Sequence, residues 1–162
     1  MHPVHDTDAV LLMATTLAAK RRPAALLELI AATDLLNGAI PSEEKLAEAF
    51  VRLSNCGLLC AVNDAYTLTP AAQKIMTGLR RKADTPERIF EIKEKLAAYE
   101  PQGEFATITL SAVQVRHAIL AHRIAVKAPG KNLLIPKPKP AEAEQKPGQR
   151  QRKPLPSRRR KD

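Results

Sequence analysis

The sequence has no apolar run near the roughly 18 residues that a bilayer-crossing helix requires. Its longest apolar patch, Ala9 to Ala14, is far shorter. No cationic leader precedes that patch, so the expected setting is soluble and cytoplasmic, with no membrane partner. Cysteine is nearly absent. Cys56 and Cys60 lie four apart with no second Cys or His pair at ligand spacing, which excludes a disulfide scaffold and a zinc site. Both are expected to be small core or near-core residues. His2, His5, His117 and His122 form no ligand motif, and the spacing of His117 and His122 puts them on different helix faces. The chain also lacks a glycine-rich phosphate loop, a nucleophile elbow and a His-Glu helix pair. Glu43 and Glu44 are adjacent, which suits a helix first turn better than paired acid and base work. The expectation is a protein that is not an enzyme and carries no cofactor or metal.

What is present divides at Val126. Residues 1–126 hold 14 Lys+Arg against 14 Asp+Glu, whereas the remaining 36 residues hold 12 against 3, the whole formal charge of +9. The high isoelectric point therefore belongs to the end of the chain. Seven of the 13 prolines also fall there, with few large apolar residues, so 127–162 is expected to be a disordered, basic, proline-rich tail.

Before it, the pattern is helical. Val10, Leu11, Met13, Ala14, Leu17 and Ala18 form one face of a first helix from about Thr7 to Lys20. Lys20, Arg21 and Arg22 close it, and Pro23 is expected to open a second helix that Asn37-Gly38 stops. Ser42 is a natural cap for a third helix with Leu46, Phe50 and Leu53 inward, ending at Cys56-Gly57. Two β-capable runs, Leu58 to Val62 and Ala65 to Leu68, flank Asn63-Asp64 and read as a tight hairpin. Thr69-Pro70 and Thr85-Pro86 each start a further helix. Phe105 to Thr109 has the composition of a short strand, and the Ser111/Gln114 capping box begins a last helix to about Val126. The fold class expected is mainly α with a small β-hairpin.

This order of helix, helix, turn, helix, hairpin, helix resembles the winged helix-turn-helix of bacterial MarR-like and PadR-like regulators. The resemblance is strongest at 46–70. There the leucine-bearing third helix runs into Gly57-Leu58-Leu59 as the first wing strand begins, and Tyr66-Thr67-Leu68-Thr69-Pro70 looks like the second wing strand and the next helix start. The element order extends it to about residues 7–80. The domains expected are a winged-helix domain at 1–82, a helical extension at 83–126 with a short strand at 105–109, and the tail.

The resemblance implies a third helix presented to the DNA major groove. Lys45, Arg52 and Asn55 are its candidate contacts, Arg and Asn suiting guanine and adenine edges. Off the Leu46/Phe50/Leu53 face, however, Glu43, Glu44 and Glu48 outnumber Lys45 and Arg52, and an acidic face opposes phosphate neutralisation. Asn63-Asp64 adds no cation. Basic clusters at Lys20, Arg21 and Arg22 and at Arg80, Arg81 and Lys82 are further candidates, although helix ends carry such residues for the dipole alone. In the tail, Lys137, Lys139, Lys146, Arg150, Arg152, Lys153, Arg158, Arg159, Arg160 and Lys161 suit sequence-blind contact with a polyanion; no aromatic residue interleaves them for base stacking.

Two functions follow. One is a DNA-binding transcriptional regulator whose tail adds nonspecific affinity for double-stranded DNA or another nucleic acid. The alternative is a protein-interaction module whose tail tethers it to polyanions. Ile89, Ile92, Leu96 and Tyr99 form a stripe that suits either a homodimer seam or, the reading favoured, intramolecular core.

Overall fold

A computed structural model describes residues 4–80 and 82–128. Its helices are α1 (Asp6–Ala18), α2 (Leu26–Asn37), α3 (Glu43–Asn55), α4 (Pro70–Thr77), α5 (Thr85–Ala97) and α6 (Ala112–Lys127), and its strands are β1 (Ala24–Ala25), β2 (Leu59–Val62) and β3 (Ala65–Leu68). Among the described residues the fold is thus mainly helical with a small three-stranded antiparallel sheet. The tail at 129–162 and Arg81 lie outside the described residues.

α1 is the central element. Its residues Asp8 to Thr15 are all buried, because α2, α3, α4, α5 and β3 pack around it. The largest cluster joins Leu11 and Leu12 to Leu29, Phe50, Leu53 and Leu58, and Ile92 and Leu96 of α5 complete it. A second, smaller cluster sets Val115 and Ile119 of α6 against Ile30 and Leu46. The extension at 83–126 is therefore packed into the same body as residues 1–82. Ile92 and Leu96 are fully buried and Ile89 and Tyr99 half-buried in that core, so the stripe weighed as a homodimer seam is occupied within the chain.

Local chemistry sets the joints. Gly57 ends α3 at φ +67°, and the Leu58 N–H reaches back to the Leu53 carbonyl at 2.9 Å while the Gly57 N–H reaches Ser54 at 2.9 Å. This paired closure satisfies two helix-end carbonyls and aims the chain into β2. Asn63 and Asp64, at φ 51° and 60°, make the two-residue turn whose twist suits a hairpin. Thr69 donates its hydroxyl to the Gly57 carbonyl at 2.6 Å and caps α4 at Ala72.

Two local expectations are corrected. Pro23 does not open α2: Ala24 and Ala25 first pair with Tyr66 and Ala65, giving the sheet order β1-β3-β2. Residues 105–109 form no strand, because their partner is a helix end. The Ile108 N–H donates to the Ser54 hydroxyl at 2.9 Å, and Thr107 donates to the Asn55 amide oxygen at 2.5 Å.

Candidate nucleic-acid interface

The outward stripe of α3 consists of Glu44, Glu48, Val51 and Asn55, at helical spacings of four, three and four; Val51 is half-buried and the others exposed. Its spacing follows from the opposite face, where Leu46, Ala49, Phe50 and Leu53 are buried. Arg52, expected off the core face, is buried, as is Ala49.

Arg52 is the sharper correction. Only 7% exposed, it donates from Nε and Nη2 to the carboxylate of Asp8, itself 0% exposed, at 2.9–3.1 Å, and from Nη1 to Glu48 at 3.2 Å. The remaining acceptor capacity of Asp8 is met by the His5 backbone N–H at 3.1 Å. Burial opposes the guanidinium charge, but the Asp8 hydrogen bonds and charge, followed by those of Glu48, outweigh it and hold the Arg52 pKa above its ordinary value. Such a forked pair satisfies both partners in low dielectric, and it removes the one arginine of α3 from the exposed surface of that helix.

Lys45 is exposed near the start of α3. Asn55 is exposed but engaged by Thr107. Both ends of α3 are held by the extension, for Arg116 of α6 donates to Glu43 at 2.9 Å, and the hydrogen bond from that arginine lowers the Glu43 pKa.

The other cations gather elsewhere. Lys20, beyond the end of α1, shares a surface hollow with Leu79, next to Arg80, and with Arg88 of α5. Arg21 and Lys82 are exposed. Arg22 is bound to Glu28, whose pKa is lowered by the Ala25 N–H and then by Arg22. The backbone N–H of Arg80 donates to Glu91 at 3.2 Å. Arg81 and the tail candidates Lys137, Lys139, Lys146, Arg150, Arg152, Lys153, Arg158, Arg159, Arg160 and Lys161 lie outside the described residues. The structure thus brings Lys20 and Arg88 to one hollow, and takes Arg52 off the exposed surface.

Sequence reasoning missed the partners that decide this. Asp8 was not singled out in the sequence, yet it lies three and four positions before Leu11 and Leu12, on their face, and that spacing was the available signal. His122 is 9% exposed, and its Nε2 lies 3.0 Å from Asp34 Oδ2. Among the described residues no group of three or more His, Cys, Asp or Glu is arranged to hold a metal ion, and no helix is long and apolar enough to cross a membrane. No family model, curated protein or solved structure matches the chain.

α6 presents a different surface. Val113, His117, Leu120 and Ile124 fall on its outward face, with Val113 58%, Leu120 48% and Ile124 70% exposed. Arg116, Arg123 and Lys127 flank them, and α6 contains no acidic residue.

Proposed function

We propose that the body is a winged-helix protein-docking module of the MarR-like and PadR-like architecture rather than a major-groove reader, and that the basic tail supplies affinity for polyanions. The observation that carries this is the burial of Arg52 against Asp8, which leaves the outward stripe of α3 with Glu44 and an Arg52-paired Glu48, and Lys45 beside it as the one exposed cation of the helix. Nonspecific DNA affinity comes mainly from phosphate neutralisation, and this stripe repels phosphate. The α6 face supports docking. Contiguous exposed apolar side chains mark interaction surfaces, and their basic flank suits an apolar partner helix edged with carboxylates. On this reading the protein acts in the cytoplasm.

Duplex binding by the full chain and by residues 1–128 across a salt series tests the reading. The fully buried core side chains lie between Asp8 and Val115, so the shorter chain retains the core. Steeply salt-dependent binding by the full chain and none by 1–128 is expected; sequence-selective duplex binding by 1–128 would overturn it.

A second reading, a DNA-binding transcriptional regulator, is favoured by one observation. Lys20 and Arg88 share one hollow, with Arg21 and Arg80 adjacent in sequence to its lining, and such a cluster could flank a backbone. Loss of duplex binding on substituting Lys20, Arg21 and Arg80 in the tail-less body would favour it.

A further inference from the structure

The hairpin has an edge without a neighbouring strand. In the sheet order β1-β3-β2, β3 is paired on both sides and β2 on one. The Thr69 N–H donates to the Leu58 carbonyl at 3.1 Å, and Cys60 and Val62 stand opposite Thr67 and Ala65. Main-chain groups alternate in direction along an antiparallel strand. Leu58, Cys60 and Val62 therefore turn theirs to β3, and Leu59 and Ala61 turn theirs to the open edge. Among the described residues nothing bonds to these two outward sets of N–H and C=O.

They open onto a hollow of about 440 Å³, with Leu59, Cys60 and Ala61 on one side and residues 105–110 on the other; Tyr66 is the one residue of β3 in its lining. Sheet edges are commonly blunted by lysine or proline, and β2, Leu59-Cys60-Ala61-Val62, has neither. Asp64, exposed at the end of the hairpin, is the one charged residue of the lining. It enters no salt bridge among the described residues.

We propose that this edge takes up an extended peptide of a partner protein, added antiparallel to β2, with a lysine or arginine near its amino-terminal end beside Asp64. Outward donor and acceptor pairs at every second residue, about 7 Å apart, match an extended backbone, whereas a helix satisfies its own main chain. Main-chain bonds supply the affinity of such strand addition and alternate side chains its selectivity. A lone carboxylate with no cation nearby sets the sign of the charge that it meets. The edge stands apart from the outward face of α6, so this binding holds whether or not that face docks a helix.

The test titrates the peptide acetyl-Lys-Thr-Val-Thr-Val-amide into the full chain, with affinity read from amide shifts and location from amide exchange. Saturable shifts centred on 59–62 are expected, with slower exchange at the Leu59 and Ala61 amides. N-methylation of one alternate set of peptide residues should abolish binding, and N-methylation of the other set should leave it. Ala61→Pro removes an outward donor and no bond to β3, a change that edge strands tolerate, and it should also abolish binding. Asp64→Asn, which suits the left-handed turn, should weaken binding about threefold. No saturable shift, equal effects of the two N-methylated sets, or unchanged exchange at Leu59 and Ala61 would overturn the proposal. The N-methylated peptides act on the wild-type chain, so their outcome does not depend on how the proline variant folds. Slower exchange at Leu59 and Ala61 with rising protein concentration and no peptide would assign the edge to a second copy and also overturn it.

Discussion

Asp8 and Arg52, 44 positions apart, meet in the interior, where two guanidinium nitrogens lie 2.9–3.1 Å from one carboxylate. The pair ties the first turn of α1 to the last turn of α3. Removing one partner strands the other in low dielectric, whereas removing both need not. Arg52→Met is therefore expected to destabilise the protein by about 3–5 kcal/mol, and Asp8→Leu/Arg52→Met by much less. Urea denaturation of the three proteins checks this; a double variant as unstable as Arg52→Met would contradict it.

The acidity of the α3 stripe makes a gain-of-binding prediction. Glu44 is exposed, so Glu44→Lys should fold normally and give residues 1–128 a measurable affinity for duplex DNA. Each new phosphate contact steepens the log–log salt dependence by about 0.9. An unchanged slope would mean that this stripe does not approach the duplex.

At Gly57 the backbone sits at φ +67°, and an added Cβ would run into the ring of Phe105. Gly57→Ala meets two penalties, the left-handed conformation, at about 1–2 kcal/mol, and the displaced ring. Gly57→Ala/Phe105→Ala relieves only the second. Thermal unfolding should rank wild type above both variants, and full recovery in the double variant would show that the backbone conformation costs nothing.

Ser54→Ala removes the acceptor of the buried Ile108 N–H and should cost about 1–3 kcal/mol. Amide exchange at Ile108 should accelerate more than at Leu53, inside α3. Equal acceleration at both would point to global destabilisation in place of release of the 105–110 segment.

Glu28 and Glu43 both have pKa values below the ordinary 4.5, the first through the Ala25 N–H and Arg22, the second chiefly through Arg116. A depressed carboxylate pKa stabilises the fold above the ordinary value, and that contribution is lost as pH falls through the folded value. Melting temperatures of wild type should therefore fall more steeply on acidification below about pH 4.5 than those of Glu28→Gln/Glu43→Gln. Parallel curves would remove these carboxylates from the acid response.

The local signals that survived in the fold are those whose cause is local. Ser42, Thr69 and Ser111 cap helices by their own hydroxyls, Gly57 and Asn63-Asp64 set turns by φ, and apolar spacing chose the inner faces of α3 and α5. What escaped depends on distant partners. Ala24-Ala25 has no strand composition and becomes one because β3 offers an edge. Phe105 to Thr109 has that composition, but its Ile108 N–H finds a serine side chain. Arg52 lies beside the apolar arc of α3, where periodicity leaves exposure undecided, and Asp8 decides it. The candidate site was legible as residue types and much less so as a surface.

α1 is enclosed by elements that come later, and its closing contacts span most of the body. Lys93 reaches Asp6 at 2.7 Å across 87 positions, and Ile92 and Leu96 complete the cluster around Leu11 and Leu12. During synthesis α1 leaves the ribosome before the elements that cover it, and its apolar surface stays uncovered until α5 has emerged. Contacts this distant in sequence slow folding, and exposed apolar surface invites association in the interval. The nascent chain thus passes through a window in which its central helix depends on something other than its own fold to stay out of aggregates.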